Sequence, residues 1–230
     1  MNIKILHMIE GAKQATGCAV IIDVFRAFTV EAFLMKNGAE KVIPVGDKQV
    51  AYDMKEQNKN IVLVGERKGV ILPGFDFGNS PSQIENVDFS HKTVVHTTSA
   101  GTQGIANAKN ADEILTGSLI NAGAIAKYIK SKNFEDVSLV CMGLDAVKET
   151  EEDNLCARYI KDLLEGNDTS YLDAEIESLK QTSGAKFFKQ ELQEIFPEPD
   201  FHLSTQVSKF DFVLKIKKGE EFDFVEKIDV

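Results

Sequence analysis

The sequence predicts an α/β fold: a mostly parallel sheet with helices on both faces, followed by a smaller C-terminal α+β part. Short apolar runs alternate with helix-type segments along the first two thirds of the 230 residues. These runs are almost continuously apolar, which is typical of strands buried on both faces of a parallel sheet. The composition, 43% hydrophobic and 27% charged, is that of a globular protein and excludes a disordered or fibrous chain.

Six strands are predicted in this part of the chain, because each apolar run is short and bounded by polar or turn-forming residues. They cover residues 18–23, 41–45, 60–66, 92–98, 113–117 and 137–143. The segment 1–10 that precedes them is mixed and strand-like. Since most of the strands are followed by a helical pattern, their order favours a largely parallel sheet.

Five helices are predicted where apolar residues recur every three or four positions. Asp47 is placed to cap the second helix, and Gly38 follows the first helix as a stop signal. The helices cover residues 28–37, 47–57, 102–108, 118–131 and 151–164.

The pattern changes after Gly166, and this change predicts two parts in the chain. Residues 1–165 form the main α/β domain with the polar segments described below, and residues 166–230 form a C-terminal extension or small subdomain. The second part is predicted to contain amphipathic helices over 173–182 and 185–196, a strand over 210–216 and an exposed turn over 217–223.

The charge balance excludes two classes of partner. The chain has 26 Lys and Arg residues against 36 Asp and Glu residues, a formal net charge of −10. Nucleic-acid binding and anchoring to an anionic membrane both depend mainly on excess positive charge, so neither is expected. The longest clean apolar run, 19–22, is far shorter than the ~20 residues that span a bilayer. The oligomeric state stays open, with a homo-oligomer among the open states.

The three cysteines indicate the compartment. Cys18, Cys141 and Cys156 are an odd number, and segment 1–10 lacks the apolar stretch of a signal peptide. This combination is typical of reduced thiols, and we therefore expect a cytoplasmic protein.

Four polar segments follow predicted strands, and ligands in open α/β sheets bind at the carboxyl ends of strands. The first contains Asp23 and Arg26, directly after the strand 18–23. An acid and a guanidinium at this position could hold a metal and an anion side by side. A helix-capping Asp with a surface Arg is an equally good interpretation of the local pattern.

The second polar segment is the long, Gly-rich stretch 65–82, and loops of this length in compact domains are usually functional or disordered. Glu66 and Arg67 open it, an unusual combination for a passive turn. Asn79 and Ser80 lie in a rigid turn before Pro81 and are predicted to face a ligand.

The third polar segment, His96 to Thr102, lies at a strand-to-helix junction. Hydroxyl groups, a glycine and the free N–H groups of a helix start suit a phosphate or another oxyanion. The segment lacks the Lys of a P-loop, so an NTPase is disfavoured. Ordinary capping of the helix is the favoured alternative on pattern alone, and His96 is interpreted as a strand histidine hydrogen-bonded nearby. The ligand-facing candidates are Thr97, Thr98, Ser99, Gly101 and Thr102.

The fourth polar segment, Glu151 to Asp153, opens the helix that contains Cys156. Acids in a first helical turn complement the helix dipole, which is a strong structural explanation. Adjacent carboxylates could also supply the oxygen ligands that Mg²⁺ prefers. Cys156 is interpreted as a packed thiol rather than a nucleophile.

Taken together in this order and spacing, the polar segments resemble the 2-phosphosulfolactate phosphatase (ComB) family. The resemblance covers residues 1–165 well and implies a ComB-like α/β topology. It also implies Mg²⁺-dependent hydrolysis of the phosphate monoester 2-phosphosulfolactate to sulfolactate and phosphate, a reaction of coenzyme M biosynthesis. The segments that carry it are IIDVFRAFTV (21–30), GERKGVILPGFDFGNSP (65–81), HTTSAGT (96–102), GSLINA (117–122) and EEDNLCA (151–157).

The chain departs from the family pattern at three positions. Where the family commonly has Asn and Arg, this chain has Ala100 and Gln103. Where the acidic segment of the family often continues into Ala-Gly, Ala157 is followed by Arg158. Both departures bear on which anionic group the pocket accepts.

A protein of net charge −10 binds a multiply charged phosphoester only if the pocket reverses the local sign, and a divalent cation does this most strongly. We hypothesise that Asp23, Glu66 and Asp153 bind Mg²⁺, with Glu152 as an alternate ligand. Asp23 is the candidate for attack on phosphorus or for activation of water. The hypothesised catalytic residues are Asp23, Arg26, Glu66, Arg67 and Asp153, with both arginines clamping anionic oxygens. The hypothesised substrate-binding residues are Asn79, Ser80, Thr97, Thr98, Ser99, Gly101 and Thr102.

Two other functions stay open. A phosphatase of the same fold could act on another small acidic phosphoester, and the changes at Ala100 and Gln103 are the reason to test this. A non-catalytic protein could bind a small anion in the same pocket, although the presence of both arginines and all the metal-binding acids argues against it. A scaffold protein would leave the charged strand ends unexplained.

Overall fold

The computed structural model describes residues 1–230 and contains ten strands in one sheet. The strands are numbered in chain order. They are β1 Asn2–His7, β2 Gly17–Ile22, β3 Lys41–Pro44, β4 Val62–Arg67, β5 Val70–Ile71, β6 Thr93–Thr97, β7 Ala111–Gly117, β8 Asp136–Cys141, β9 Phe212–Lys217 and β10 Phe224–Asp229.

Nine α-helices and three short 3₁₀ turns connect the strands. The helices are α1 Met8–Gln14, α2 Ala27–Lys36, α3 Lys48–Gln57, α4 Pro81–Ile84, α5 Gly101–Asn107, α6 Ala122–Lys132, α7 Glu151–Glu165, α8 Leu172–Leu179 and α9 Glu198–Ser204. The 3₁₀ turns are Leu119–Asn121, Ala185–Phe188 and Gln190–Leu192. None of the helices combines the length and apolar character that crossing a membrane requires.

Two groups of parallel strands make up most of the sheet. The strand order is β1-β8-β2-β7-β9-β10-β3-β6-β4-β5. The first four strands are parallel neighbours, and β3, β6 and β4 form the second parallel group. Antiparallel pairing of β7 with β9, β9 with β10 and β10 with β3 links the groups. Because each link reverses the direction, the second group runs opposite to the first along the sheet.

The sheet curves around α2, which is buried along most of its length. Residues 27–34 are all buried. Most of them are apolar, and the two polar side chains, Thr29 and Glu31, form hydrogen bonds inside the protein. One hydrophobic cluster joins Phe28 and Phe33 of α2 to Ile21 in the first strand group and Val94 in the second. Asp23 after β2, Glu66 in β4 and Ser99 after β6 line one cleft with Arg26, the residue before α2, so carboxyl ends from both groups meet near the N-terminal end of that helix.

Helices cover both faces of the first strand group, as the sequence predicts. Neighbouring residues of β2 point to opposite faces, as in any strand. Ile21 belongs to the cluster that contains α2 and α5, whereas Ile22 belongs to a second cluster with Ile125 of α6 and Ile160 of α7. The predicted α/β fold with a mostly parallel sheet is confirmed.

The six predicted strands and five predicted helices of the first part all correspond to observed elements, with ends shifted by a few residues. Gly38 adopts a left-handed φ of +89° after α2, and the Asp47 side chain caps α3 by accepting a hydrogen bond from Gln49 N at 2.9 Å. The sequence did not predict α1, α4, α9, β5 or β10. The segment 65–82 is less irregular than expected, because Glu66 and Arg67 belong to β4.

The C-terminal part completes the same sheet, since β9 and β10 lie between the two parallel groups. The division at residue 166 stays a prediction.

The prediction of an amphipathic helix over 185–196 is wrong: the segment forms two 3₁₀ turns. Gln193 explains part of this, because its side-chain amide donates to the carbonyl oxygens of Phe187 at 2.6 Å and Lys189 at 3.2 Å. Pro197 follows at once and cannot continue a helical hydrogen-bond ladder.

Candidate active site

A cleft with two adjoining lobes lies where the carboxyl ends of β2, β4, β6 and β8 meet. The first lobe has a volume of about 250 Å³ and the second of about 370 Å³. Asp23 after β2, Gly143 after β8 and two residues of the C-terminal part, Lys186 and Phe196, line both lobes. A cleft at this edge of the sheet is the expected place for a ligand.

The structure brings some of the predicted site residues to this cleft and not others. Asp23, Arg26, Glu66, Asn79 and Ser99 line the first lobe. Asp23, Glu152 and Asp153 line the second lobe. Outside both lobes lie Arg67, Ser80, Thr97, Thr98, Gly101 and Thr102.

Asp23 is buried and has one carboxylate oxygen free. Its Oδ1 accepts a hydrogen bond from Ala27 N at 3.1 Å, which fixes the side chain at the start of α2. Its Oδ2 accepts none, and it lies so near Gly101 that a Cβ there would come within 3.1 Å. Burial raises the pKa of Asp23 to about 7, and the carboxylates of Glu66 and Glu152 act in the same direction. Asp23 can therefore hold or release a proton near neutral pH.

The two acids of α7 differ in their bonding. Asp153 accepts hydrogen bonds from Val24 N at 2.9 Å and Gly143 N at 2.8 Å, and it thereby ties the ends of β2 and β8 together. Burial raises the pKa of Asp153 well above its usual range, with Glu152 and Asp23 adding to the effect. Glu152 is 3% exposed, and its Oε2 has no hydrogen-bond partner. Burial also raises the pKa of Glu152, while Lys186 opposes that effect.

Glu66 holds the loop after β6 in place. Its carboxylate accepts hydrogen bonds from Ser99 N at 2.7 Å, Ser99 Oγ at 3.1 Å and Gly69 N at 2.6 Å. Three donors on one buried carboxylate connect the β4–β5 hairpin to the turn before α5. Ser99 therefore lines the first lobe with its hydroxyl already engaged by Glu66.

Arg26 forms a buried ion pair with Asp200 of α9. The two side chains are 3% and 0% exposed, and Nη1 donates to Asp200 Oδ2 at 2.6 Å and to Ile195 O at 2.9 Å. The guanidinium carbon lies 4.9 Å from the centroid of the Phe196 ring. Burial lowers the pKa of Arg26, and Asp200 opposes this effect. The Nε and Nη2 groups of Arg26 donate no hydrogen bond within the protein, so they remain available to an anion in the first lobe.

Asp200 also fixes the turn that contains Ser80. Its Oδ1 accepts hydrogen bonds from Ser80 Oγ and Ser82 N, both at 2.9 Å. The hydroxyl of Ser80 is thus engaged by the protein, and the residue lines a small neighbouring pocket with Arg26 and Asn79. Sequence reasoning missed Asp200, because nothing in its local pattern distinguishes it from another acid near a helix start.

Arg67 points away from the cleft. Its guanidinium donates to Glu66 O at 2.6 Å, Thr97 Oγ1 at 3.0 Å and Gly46 O at 3.2 Å. Successive side chains of a strand point to opposite faces, so Glu66 and Arg67 cannot both face the same lobe. Gln103, one of the departures from the family pattern, donates to the same Gly46 O at 3.0 Å.

The hydroxyls of Thr98 and Thr102 serve the turn before α5. Thr98 Oγ1 accepts from Thr102 N at 3.3 Å, and Thr102 Oγ1 donates to Thr98 O at 3.1 Å. Both hydroxyls are therefore engaged within this turn, although the N-cap residue of α5 is Ala100, which forms no side-chain cap. Ala100, which stands where the family commonly has Asn, lines the first lobe.

Asn79 is the unexplained polar group of the first lobe. The side chain is 6% exposed and its Oδ1 has no hydrogen-bond partner. Buried amide oxygens are rarely left unpaired, so Asn79 Oδ1 is suited to accept a hydrogen bond from a donor on a ligand in this lobe.

Lys186 was also missed by sequence reasoning. It lies in the first 3₁₀ turn of the segment 185–196, where no motif drew attention to it. Burial lowers the pKa of its ammonium group, whereas Glu152 raises it. It lines both lobes and forms no ion pair.

His96 lies on β6, fully buried and outside the cleft. Its Nδ1 is 3.6 Å from Glu31 Oε2, and neither ring nitrogen forms a hydrogen bond. The expectation of a hydrogen-bonded strand histidine is wrong in that detail. The other oxygen of Glu31 accepts a hydrogen bond from Thr116 Oγ1 at 2.6 Å.

The cysteines take no part in the site chemistry. All three are unpaired and buried. Burial raises the pKa of Cys141 and Cys156 well above the usual range, and the Asp153 carboxylate adds to the effect. Since the thiolate is the nucleophilic form, the interpretation of Cys156 as a packed thiol is confirmed.

The donor set of the cleft fits magnesium in one particular way. No three acid, histidine or cysteine side chains lie together as a metal-binding group. Glu66 and Asp153 accept hydrogen bonds at both oxygens, whereas Asp23 Oδ2 and Glu152 Oε2 accept none. Mg²⁺ is usually bound by one or two carboxylates, with waters and substrate phosphate completing its shell. The free oxygens of Asp23 and Glu152 fit such a site.

A larger groove of about 720 Å³ lies on the outer face of α7. It is open and polar, and it contains none of the predicted site residues. Arg158, the third departure from the family pattern, pairs there with Glu175 and lies 4.2 Å from the centroid of the Tyr171 ring. That departure therefore does not touch the cleft.

Comparison with known proteins identifies a family. The profile described as 2-phosphosulpholactate phosphatase matches residues 4–219, a range that contains every cleft residue named above. The "Probable 2-phosphosulfolactate phosphatase" of Bacillus subtilis is 30% identical over 209 residues, covering 91% of this chain and 91% of that protein. The protein of the same name from Thermoplasma volcanium is 32% identical over 192 residues, covering 82% and 89%. That from Caldicellulosiruptor saccharolyticus is 40% identical over 149 residues, covering 63% and 61%.

We predict that Asp200→Asn lowers the free energy of unfolding by about 3–5 kcal/mol, because it leaves the buried Arg26 guanidinium without a counter-charge. Asp211→Asn is the matched control: Asp211 is 80% exposed and pairs only with Lys127 at 3.6 Å, so a change below about 0.5 kcal/mol is expected. Urea unfolding measures both. A loss below about 1 kcal/mol in Asp200→Asn would contradict this description of the pair.

We also predict that Asp23→Asn gains stability relative to the wild type as the pH rises from about 4 to about 7. In the unfolded chain Asp23 ionises near its ordinary value of 3.8, but in the folded protein near 7. Over this range the wild type loses up to about 4 kcal/mol that the variant does not lose. Urea unfolding across this range, with a metal chelator present, tests the prediction, and parallel pH curves would contradict it.

Proposed function

The chain belongs to the 2-phosphosulpholactate phosphatase family, and on this basis we propose that it hydrolyses 2-phosphosulfolactate to sulfolactate and inorganic phosphate. As a member of this family it is a phosphoric monoester hydrolase. One observation supports the proposal most: Asp23 presents a free carboxylate oxygen, and Arg26 presents free N–H donors, to the same small lobe.

Arg26 would bind the phosphoryl group. Its Nη1 is engaged by Asp200, which fixes the plane of the guanidinium and leaves Nε and Nη2 to donate to two phosphoryl oxygens. Guanidinium and phosphate match well in this bidentate geometry. Asn79 lines the same lobe, and its Nδ2, which donates no hydrogen bond within the protein, would donate to a third oxygen. Positioning of this kind is a large part of catalysis in phosphoryl transfer.

Asp23 would carry the chemistry. Its pKa of about 7 leaves a substantial fraction ionised at neutral pH, and only the ionised form can attack phosphorus or accept a proton from an attacking water. Either route needs a lone pair of the Asp23 carboxylate that neither Ala27 N nor a bound metal occupies, and the two oxygens together have enough lone pairs for all three. Glu66 and Asp153 would act indirectly, since they fix the loops around Asp23 through backbone N–H groups.

Magnesium would be held by Asp23 and Glu152, the two acids of the cleft with a free oxygen. When bound there it would supply charge neutralisation for a substrate that carries several negative charges. This chain needs such neutralisation because its net charge is −10 and the cleft contains four carboxylates of the hypothesised site.

A second candidate function is hydrolysis of another small acidic phosphoester by the same site. Ala100 favours this candidate, because it places a methyl group at the wall of the first lobe where the family commonly has an amide. Gln103 gives no support to this candidate, because its side chain lies outside both lobes and its amide donates a hydrogen bond to Gly46 O.

We further propose a cytoplasmic location, which the three unpaired, buried cysteines support because such thiols persist in a reducing compartment. The assignment to coenzyme M biosynthesis rests on the family alone.

Phosphate release by the purified chain tests the proposal. With Mg²⁺ present, we expect turnover of 2-phosphosulfolactate that exceeds turnover of other small acidic phosphoesters such as phosphoglycolate. Removal of divalent cations with a chelator should abolish release, and added Mg²⁺ should restore it. Activity unchanged by the chelator would contradict the role of magnesium. Tight binding of phosphoesters without any turnover would support the non-catalytic alternative instead.

We predict that Asp23→Asn lowers kcat by about 10²- to 10⁴-fold, because it removes the carboxylate proposed to act as base or nucleophile. The exposed variant Asp211→Asn controls for loss of an acidic charge elsewhere and should stay within threefold of the wild type. Initial rates with an aryl phosphate measure both. Activity of Asp23→Asn within about threefold of the wild type would remove Asp23 from the chemistry.

A further inference from the structure

The cations that line the cleft differ in what already neutralises them. Arg26 is paired with Asp200 at 2.6 Å. Lys68 and Lys148 are exposed to water at the mouth of the cleft. Lys186 is partly buried and has no carboxylate within ion-pair distance, and its ammonium group donates no hydrogen bond. It is the cation of the cleft that is neither solvated freely nor paired.

Aromatic rings surround the Lys186 ammonium group. Its Nζ lies 5.0 Å from the ring centroid of Phe196, 5.4 Å from that of Phe187 and 5.9 Å from that of Phe25. The ring faces attract the cation and hold it in place, but they do not supply a counter-charge. The carboxylates of Glu152, Asp23 and Asp153 favour the charged ammonium from beyond ion-pair distance, but none of them hydrogen bonds to it, so its N–H donors stay unpaired. This environment therefore favours binding of an anion at Lys186.

The position of Lys186 separates its role from that of Arg26. Arg26 lines the first lobe only, whereas Lys186 and Asp23 line both lobes. If the phosphoryl group lies between Asp23 and Arg26, the rest of the substrate extends past Lys186 into the second lobe. Two buried hydroxyls also line that lobe, Thr150 Oγ1 and Ser183 Oγ, and both lie close enough to Glu152 to favour its ionised carboxylate.

The carboxylates of the second lobe make a cation necessary there. Glu152 and Asp153 both line it, and either would repel an anionic substituent. Lys186, which forms no close ion pair with either acid, places a compensating charge at the boundary of this lobe.

We propose that Lys186 binds the non-reacting anionic group of the substrate, a sulfonate or a carboxylate, and so determines specificity for phosphoesters that carry a second negative group. This inference rests on the proposed phosphatase function. It assigns to the C-terminal part a direct role in substrate recognition.

Comparison of two substrates tests the inference. For Lys186→Met we expect kcat/KM with 2-phosphosulfolactate to fall about 10- to 100-fold, the loss typical of one charge-assisted hydrogen bond. 4-Nitrophenyl phosphate has no second anionic group for Lys186 to bind. With this substrate we therefore expect kcat/KM to change by less than about threefold. Lys186→Arg should retain most of the selectivity. Lys189→Met is the control, because Lys189 lies in the same segment but is exposed and outside the cleft.

Direct binding of sulfolactate, measured by calorimetry, gives a readout that does not depend on turnover. We expect Lys186→Met to raise its Kd about 10- to 100-fold and Lys186→Arg or Lys189→Met to change it little. Equal losses of kcat/KM with both substrates, an unchanged Kd, or no binding of sulfolactate to the wild type would overturn the inference. If the wild type hydrolyses neither substrate, the proposed function fails, and the binding measurements alone decide the role of Lys186.

Discussion

The buried ion pair between Arg26 and Asp200 is the constraint on which the cleft depends. Arg26 follows β2 in the first strand group, whereas Asp200 lies on α9, 174 residues later. The same carboxylate binds Ser80 and Ser82, so one side chain fixes three segments that the sheet alone does not connect. Because Arg26, Ser80 and Ser82 all belong to the main α/β part, the C-terminal part that carries Asp200 is needed to complete the wall of the first lobe.

This arrangement explains how an acidic protein could accept an anion. Four carboxylates come together at the strand ends, and burial with mutual repulsion keeps protons on some of them near neutral pH. The opposing charges come from Arg26, which Asp200 orients, and from Lys186, which aromatic rings hold without neutralising. Phe196 contacts both cations, 4.9 Å from the Arg26 guanidinium and 5.0 Å from the Lys186 ammonium.

Local pattern in the sequence located the cleft but not all of its walls. Asp23 and Glu66 were predictable because each follows or ends a strand, and strand ends of an α/β sheet gather at ligand sites. Asn79 was predictable because it lies in the long Gly-rich segment that begins at the end of β4. Arg67 was assigned to the cleft together with its neighbour Glu66, but adjacent side chains of a strand point to opposite faces. The alternation of β4 therefore turns Arg67 away, and this could have been predicted from the sequence. Asp200 and Lys186 were not predictable, because packing of Phe187 and Phe201 in a separate hydrophobic cluster brings their short helices to the cleft.

The most direct test of this account is a structure determined with Mg²⁺ and orthovanadate, an analogue of the phosphoryl group in transfer. The account predicts vanadate in the first lobe, with oxygens bound by Arg26 and the metal beside Asp23. Vanadate on the outer groove of α7, or bound by Arg67 with Arg26 left in contact with Asp200 alone, would contradict it.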